Sequence, residues 1–383
     1  MRKLSLAFMN VPLAGHLAAM EPIMRACAGA GHTVTLYGYD SMAELAARVG
    51  AGFRPYAVQE SVFDPGELGS VGTLFRLLMR FARDNVDELA DSLRAEPPDC
   101  LIHDQFCPWG KYAAHAAGVR AASSVTSMIF ERDAGTGAQS MLRGLSGMEE
   151  GNDIRAALSE RLGLPKWGII DAIQNKQGLN LLMRLPELQR GHFDSYMYIG
   201  PCLPERDSVS APDKRTSEPM AYMSMGTVYA YDGDEAERAI TSLRKAGFRV
   251  LVAAGPLFER LCPLSDPPGL EVIRRCDQLS ALALASVFLT HGGMNGTQEA
   301  LYRGTVPIFR PLQDEQASIA DAVCSRGAGL RWDGRSDLGA MALESLADPS
   351  IQAGVDALGA KLRERGGVSR AVEALEHYAG GRL

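Results

Sequence analysis

The sequence lacks the features of a disulfide-bonded, zinc-binding or membrane-spanning protein. Its seven cysteines are odd in number and scattered, without a C-x-x-C pair, so neither a disulfide framework nor a tetrahedral zinc site is indicated. No run of about 18 uninterrupted apolar residues occurs, so no bilayer span is expected. The first residues also lack the apolar core and small-residue cleavage site of a secretory signal, so a cytoplasmic protein is expected.

Positive charge is in short supply. The 39 Lys and Arg residues are outnumbered by 46 Asp and Glu residues, which gives a formal net charge of −7. That sign is wrong for a protein that follows a phosphate backbone, so a nucleic-acid partner is not expected. With 46% hydrophobic and 22% charged residues, the composition is otherwise that of a folded globular chain.

Length and glycine are what the chain has in abundance. Its 383 residues are too many for one compact domain of roughly 100–200 residues, so two domains are expected. Glycine accounts for 40 residues, which is above the usual share of about 7%. This excess predicts many tight loops where the backbone approaches a neighbour or a ligand closely.

Short apolar runs alternate with helix-length segments along the chain, which predicts an α/β fold of βαβ units around parallel sheets. A polar, proline-punctuated stretch at 205–219 is interpreted as a linker. It separates an α/β domain at 1–204 from a second one at 220–367, and a last helix at about 368–383 could pack against either, including back on the first. The two domains would face each other across a cleft, because open parallel sheets bind ligands at the carboxyl ends of their strands.

Two local predictions concern the surroundings of that cleft. A helix is predicted from Met20 to Ala30, opened by Pro22 and closed by Gly31. The Gly- and Ser-rich stretch from Gly135 to Gly151 is interpreted as a mobile loop rather than a regular element.

The most informative stretch, 286–304, is SVFLTHGGMNGTQEALYRG. A buried strand ends at His291, the Gly292–Gly293 pair allows a sharp turn, and a helix begins near Asn295. Backbone amides at the helix start, with the Thr297 hydroxyl and a His291 ring nitrogen, would form an anion site of the kind that holds phosphates. An ordinary strand followed by a helix capped by Asn295 is the simpler alternative.

This string resembles the donor-binding signature of family 1 glycosyltransferases with two Rossmann-like domains, the GT-B fold. It is most similar to the macrolide and antibiotic glycosyltransferases of actinomycetes. The family pattern is His-x-Gly-x-Asn/Gly-Ser/Thr-x-x-Glu, followed after the helix by Pro and an Asp/Glu-Gln pair. The matching residues here are His291, Gly293, Asn295, Gly296, Thr297, Glu299, Pro311, Glu315 and Gln316. An N-terminal Gly-His loop and a mid-chain Asp also match, so the resemblance covers essentially the full chain.

The resemblance implies a nucleotide-sugar site in the C-terminal half. His291 and the amides from Asn295 to Thr297 would grip the diphosphate. Glu299 would take the ribose hydroxyls, and Glu315 with Gln316 would hold the sugar. A second loop and the segment that replaces the family's Trp-x-Pro-Gln would add Ser224, Gly226, Thr227, Arg275 and Gln278. The identity of the nucleotide, UDP or TDP, stays open, because Arg275 replaces the Trp that stacks on the nucleotide base in the family. The Arg275 guanidinium could stack on a pyrimidine instead. No cofactor or metal is implied beyond the UDP- or TDP-sugar itself.

The catalytic base is expected from the N-terminal half. His16 follows the first strand directly after Gly15, where a tight turn is predicted, and the family places its base on such a Gly-His pair. Asp104 ends a buried strand at the position of the acid that pairs with this histidine in the family. The neighbouring His103 would point to the opposite face of that strand. A carboxylate beside an imidazole fixes its tautomer and stabilises the imidazolium, which suits a general base near neutral pH.

The expected enzyme is therefore an inverting, metal-independent glycosyltransferase of the hexosyltransferase class. It would move a sugar to a hydroxyl of a hydrophobic small molecule, with His16 as base. Segments rich in Phe, Leu and Met at 63–93 and 106–148 are candidates for the acceptor side, although such residues are more often plain core. Three alternatives remain open: a sugar-nucleotide epimerase, a glycosyltransferase with a lipid-linked acceptor, and a non-catalytic auxiliary protein. Whether the chain forms a homodimer is also left open.

Overall fold

The computed structural model describes residues 2–57, 71–126, 129, 148–164, 174–188, 193–203, 218–224 and 232–381. These residues form two compact units. The first contains the described residues up to Met183, those of 193–203 and those from Gly366 onwards, and the second contains 184–188 and 218–365. Most of the linker predicted at 205–219 lies outside the described residues. No helix among the described residues is long and apolar enough to cross a membrane.

The first unit is a parallel sheet whose strands alternate with helices. Its elements up to Met183, with one later strand, are β1 (Ser5–Met9), α1 (Ala14–Gly29), β2 (Thr33–Gly38), α2 (Ala43–Val49), β3 (Gly52–Pro55), α3 (Val71–Ala95), β4 (Cys100–Asp104), α4 (Pro108–Ala117), β5 (Ala121–Val125), α5 (Glu149–Arg161), β6 (Leu179–Leu182) and β7 (Met197–Tyr198). Among the described residues the strand order is β3-β2-β1-β4-β5-β6-β7. Phe8 of β1 is in register with Leu36 of β2 and Ile102 of β4. Both faces of β4 are buried, which is why it is a continuous apolar run at its start.

The second unit repeats the plan with its own sheet. Its elements are β8 (Met220–Ser224), α6 (Gly233–Lys245), β9 (Arg249–Ala253), α7 (Phe258–Leu261), β10 (Leu270–Ile273), α8 (Gln278–Leu284), β11 (Val287–Thr290), α9 (Met294–Tyr302), β12 (Val306–Phe309), α10 (Asp314–Cys324), β13 (Leu330–Arg331), α11 (Leu338–Ala347) and α12 (Pro349–Glu364). The described strands are parallel in the order β10-β9-β8-β11-β12-β13. This confirms the α/β class with two parallel sheets.

Each sheet has a point where its strand order reverses: between β1 and β4 in the first unit, and between β8 and β11 in the second. Ligand crevices in open parallel sheets form at such points, at the carboxyl ends of the strands. The residues that follow β1 and end β4 are therefore neighbours, as are those that end β8 and follow β11. These are the segments that carry His16, Asp104, Ser224 and His291.

Each unit buries a hydrophobic core of its own. Helix α3 contributes Phe75, Met79 and Phe81 to the first core, where their exposed fractions are 3%, 0% and 1%. These residues of the predicted acceptor segment are therefore core and do not line a binding surface. Residues 63–70, 127–128 and 130–147 of the two acceptor segments lie outside the described residues.

Three local predictions are wrong, the third of them in part. Helix α1 begins at Ala14 rather than Met20, so Pro22 lies inside the helix and His16 lies in its first turn. Gly15 is the second residue of that helix and not a tight turn, because the chain leaves β1 through the extended Leu13 instead. The end of the predicted loop 135–151 is helical, since α5 begins at Glu149, and the stretch 135–147 lies outside the described residues.

The last helix, α13 (Gly367–Ala379), belongs to the first unit. Ala371 and Leu375 are buried in the first core. The His32 ring links α13 to the sheet: its Nδ1 accepts from the Leu4 N–H at 3.2 Å, so its Nε2 carries the hydrogen and donates to Glu376 at 3.0 Å. Conversely, the short segment 184–188 belongs to the second unit, where Leu185 and Leu188 are buried in the core, although the sequence interpretation assigned it to the first domain.

Candidate active site

His16 and Asp104 form a hydrogen-bonded pair at the reversal point of the first sheet. Because β1 and β4 are neighbours, the start of α1 lies beside the carboxyl end of β4. The His16 Nδ1 is 2.8 Å from the Asp104 Oδ2. The other carboxylate oxygen, Oδ1, accepts from the Phe106 N–H at 2.7 Å, and the Asp104 side chain is fully buried. Both oxygens are thus engaged, which fixes the carboxylate in place.

This arrangement selects one tautomer of His16. The buried carboxylate can only accept, so Nδ1 carries the hydrogen and Nε2 carries the lone pair that could take a proton. The Thr126 hydroxyl lies 3.1 Å from Nδ1, and the Phe106 ring lies 5.0 Å from the imidazole, centroid to centroid. The His16 side chain keeps 13% of its surface exposed. The ring is therefore oriented by its neighbours and still accessible.

Thr126 was not predicted from the sequence. It directly follows β5, which pairs with β4, so its hydroxyl lies beside the end of Asp104's strand. A sequence signal that could have indicated Thr126 is its position: it is a polar residue at the end of an apolar strand, and that strand neighbours the one that ends at Asp104. Phe106 was also missed, since nothing in its local pattern indicates a contact with His16.

His103 has a structural role in the interior. Its side chain is fully buried, its Nδ1 donates to the Asp104 carbonyl at 3.0 Å, and its Nε2 accepts from the Gln177 amide at 2.8 Å. Burial lowers its pKa to about 4, so it stays neutral near neutral pH. A Cβ at Gly110 would lie 2.6 Å from the His103 Cβ, so this glycine is required for the ring to fit.

In the second unit, a turn of two glycines follows β11. Gly292 has φ +91°, a left-handed conformation that favours glycine, and its N–H donates to the Thr290 hydroxyl at 3.2 Å. A Cβ there would lie 3.1 Å from the Gln316 carbonyl oxygen. At Gly293 a Cβ would lie 2.7 Å from the His291 Nε2. Side chains at either position would displace the segments that meet here.

Helix α9 begins at this turn, with Gly293 rather than Asn295 in the N-cap position. Asn295 and Gly296 are in the first turn of the helix. Thr297 differs from the prediction: its side chain is fully buried and its hydroxyl donates to the Gly293 carbonyl at 2.9 Å. It therefore stabilises the helix start from inside.

His291 lies directly between strand and helix. Its Nδ1 is buried and has no hydrogen-bond partner among the described residues, so it can serve a ligand. Burial lowers the pKa of His291, so near neutral pH the ring would act as a neutral donor.

Glu299 and Gln278 are brought together one turn further along α9. The Gln278 Nε2 donates to the Glu299 Oε2 at 2.6 Å, and the Tyr222 hydroxyl donates to the Gln278 Oε1 at 3.4 Å, which orients the amide. A Cβ at Gly296 would lie 3.3 Å from the same Gln278 nitrogen. Burial raises the pKa of Glu299 to about 7, and the Gln278 hydrogen bond offsets only part of this.

The predicted sugar contacts lie at the start of α10. Gln316 is buried and its Oε1 accepts from the Leu312 N–H at 2.8 Å, so this oxygen closes the turn before the helix. Glu315, next to it, is partly exposed. Because Gly292 lies against the Gln316 carbonyl, the start of α10 is adjacent to the turn after β11.

The remaining predicted donor residues are less informative. Ser224 ends β8, which pairs with β11, so it lies on the same edge of the sheet as His291. Arg275 is exposed and is not brought against the other predicted residues by any contact among the described ones. Gly226 and Thr227 lie outside the described residues.

A sequence of the form Asp-x-Asp occurs at the start of α6, where such motifs can suggest a metal site. The structure gives these carboxylates other partners: Asp232 Oδ1 accepts from the Asp234 N–H at 3.3 Å, and Asp234 pairs with Arg260. No group of three or more His, Cys, Asp or Glu side chains suited to hold a metal is present in the described part of the chain.

Comparison with known proteins places this geometry in context. No family model matches the chain. The NDP-glycosyltransferase YjiC of Bacillus subtilis is 21% identical, over 99% of this chain and 98% of the relative. The oleandomycin glycosyltransferase of Streptomyces antibioticus is 24% identical, over 97% of this chain and 90% of the relative. The crystal structure of the glycosyltransferase of kitacinnamycin has a TM-score of 0.84 at 23% identity and covers 99% of this chain and 100% of its own. These likenesses confirm the fold and the resemblance that the motifs indicated.

Proposed function

We propose that the chain is a glycosyltransferase of the natural-product type, as its likeness to such enzymes suggests. It would transfer a sugar from a UDP- or TDP-sugar to a hydroxyl of a hydrophobic small molecule, with inversion at the anomeric carbon. The observation that carries the proposal is the His16 imidazole, held through Nδ1 by the buried Asp104 at 2.8 Å while part of the ring stays exposed.

In the proposed reaction, the His16 Nε2 takes the proton of the acceptor hydroxyl. The acceptor oxygen attacks the anomeric carbon, and the bond from that carbon to the diphosphate oxygen breaks with its electron pair on the leaving group. Asp104 stabilises the imidazolium that forms, because it accepts the Nδ1–H throughout. The products are the glycoside, the nucleoside diphosphate and one proton, which His16 releases to solvent.

The backbone amides at the start of α9 and the Nδ1–H of neutral His291 would stabilise the negative charge that develops on the departing diphosphate. Thr297 would act indirectly, by bonding the Gly293 carbonyl. Glu299 and Gln278 are spaced to accept and donate to ribose hydroxyls, and Glu315 to accept from the sugar. Because no metal takes part in this scheme, turnover should be unchanged by excess EDTA.

The base assignment is tested with a pair of histidine variants. His16→Gln keeps a polar side chain of similar size but cannot act as a base near neutral pH, so acceptor-dependent release of nucleoside diphosphate should fall by about 10²–10⁴-fold. His115→Gln, on an exposed face of α4, is the matched control and should retain full activity. Normal turnover by His16→Gln with a competent acceptor would exclude the proposed base.

The alternatives give different products in the same assay. UDP- and TDP-sugars are incubated with and without a panel of aglycones, and both nucleotide and sugar products are identified. Release that depends on the aglycone, with inverted configuration at the new bond by NMR, is the expected result. Epimer or free sugar without an acceptor would indicate an epimerase, transfer only to a lipid-linked acceptor would indicate that class, and absence of nucleotide binding would indicate an auxiliary protein.

A further inference from the structure

Arg310 lies where β12 ends and the segment leading to the predicted sugar contacts begins. Its N–H donates to the Thr290 carbonyl at 2.8 Å, continuing the ladder between β12 and β11. Its guanidinium binds Glu235 in the first turn of α6 through two parallel hydrogen bonds: Nε to Oε1 at 2.9 Å and Nη2 to Oε2 at 3.0 Å. Arg310 is outside the motif that indicated the family.

This ion pair is enclosed more than most others in the second unit. The Glu235 side chain is 12% exposed and the Arg310 side chain 29%. Gly334, after β13, has φ +82°, and a Cβ there would lie 2.8 Å from the Arg310 Nε and 2.9 Å from the Glu235 Oε2. The backbone after β13 therefore packs directly on the pair. A bidentate, sheltered Arg–carboxylate pair holds its two segments in a defined orientation, which an exposed pair does not.

The far end of the segment that Arg310 begins is also fixed. The Gln316 Oε1 accepts from the Leu312 N–H at 2.8 Å, and the Gln316 carbonyl lies against Gly292 in the turn after β11. Glu315 lies between these anchors, at the start of α10. The segment that carries Glu315 is thus fixed by the Arg310–Glu235 pair at one end and by the Gln316 contacts at the other.

We propose that Arg310 is a positioning residue for the donor sugar: through its pair with Glu235 it sets where Glu315 presents its carboxylate to the sugar hydroxyls. The inference rests on the proposed function, because it takes Glu315 as the sugar contact. It also separates two parts of the donor. The nucleoside diphosphate is bound by α9 and its neighbours, whereas the sugar is bound by the segment that Arg310 holds.

The test compares binding of a whole donor with binding of its nucleoside diphosphate. Arg310→Met keeps the bulk of the side chain and removes the ion pair, so kcat/KM for the nucleotide sugar should fall by about 10- to 100-fold, as expected for a displaced contact. By calorimetry, affinity for the nucleotide sugar should fall, whereas affinity for free UDP or TDP should change by less than about twofold, because those contacts lie elsewhere. Arg310→Lys should give an intermediate loss, since it keeps the charge but not the bidentate geometry.

Arg260→Met is the matched control, because Arg260 pairs with the exposed Glu237 on the same helix, Nε to Oε1 at 2.7 Å. It should leave both affinities unchanged. Combining Arg310→Met with Glu315→Gln should cost hardly more than either change alone, since both act on one contact.

Equal loss of affinity for donor and free nucleoside diphosphate in Arg310→Met would overturn the inference, because it would indicate collapse of the unit. Unchanged donor affinity, or additive losses with Glu315→Gln, would overturn it as well. Should Arg310→Met fail to fold, Glu235→Gln is used in the same comparison. The affinities measured by calorimetry do not depend on turnover. A wild-type protein that binds the donor but transfers no sugar would refute the proposed function, and this result is different from any of the results that would overturn the Arg310 inference.

Discussion

Replacing Glu299 by Gln should change how the stability of the second unit depends on pH. Burial raises the pKa of this carboxyl group from 4.5 to about 7 in the folded chain. The folded state therefore holds its proton more tightly than the unfolded state does. The corresponding stability is fully present below pH 4.5 and is lost as the pH rises through about 7.

The size of the effect follows from the two pKa values. At about 1.4 kcal/mol for each tenfold change in proton affinity, the difference between 4.5 and about 7 amounts to at most about 3.5 kcal/mol. Part of the Glu299 side chain is accessible, so the measured value should lie below this limit. Gln at this position has the same shape, cannot ionise, and can still accept the hydrogen bond from Gln278 through its carbonyl oxygen.

Urea unfolding of both proteins, followed by circular dichroism between pH 5 and 8.5, measures the difference directly. The two free energies of unfolding should be closest at pH 5, and Glu299→Gln should become the more stable protein as the pH rises. Glu187 provides a control whose titration lies below this pH range: burial acts to raise its pKa, but the hydrogen bond and charge of Lys361 lower it overall. Its contribution to stability is present above pH 4.5 and is lost only below it, so Glu187→Gln should differ from wild type by a constant free energy between pH 5 and 8.5. A difference for Glu299→Gln that does not vary with pH would refute the reasoning.

Three further substitutions test the geometry of the two half-sites. Asp104→Asn should lower kcat by about 10²–10⁴-fold with an unchanged circular dichroism spectrum, because an amide no longer enforces the tautomer; full activity would contradict the pairing. Thr126→Val should lower kcat by only about two- to tenfold, the value of one hydrogen bond to the same ring, and a larger loss would mean that the hydroxyl touches substrate. Gly292→Ala should cost about 1–3 kcal/mol in urea unfolding and weaken nucleoside diphosphate binding, since φ is +91° and a Cβ would press on the Gln316 carbonyl; wild-type stability would contradict this.

Local patterns in the sequence predict most of the sheet. Strand β11 (Val287–Thr290), for example, coincides with the apolar run predicted to precede the Gly292–Gly293 turn, because a strand buried in a parallel sheet requires apolar residues on both faces. The start of α1 was missed because Pro22 is typical of a first helical turn, yet the helix tolerates it in its interior, where its side chain is buried. Local preference was overridden here by packing.

The candidate site could be predicted only in part. His16 and Asp104 are 88 positions apart, and the resemblance named both before the sheet order explained why they meet. Thr126, Phe106 and Arg310 were not predicted, because the side chains that they contact, His16 and Glu235, are close to them only in space. The Thr297 hydroxyl was expected to face a ligand, but helix periodicity alone does not say which side of a first turn is covered by the sheet.

The position of α13 has a consequence for synthesis and for engineering. Helix α13 belongs to the first unit but follows the whole second unit in the sequence. During translation, the surface that receives Ala371 and Leu375 therefore lacks its partner until α13 itself has been made. A chimera that exchanges the second unit between relatives should therefore keep α13 with the first unit, and splice around Gly366 as well as in the earlier connections.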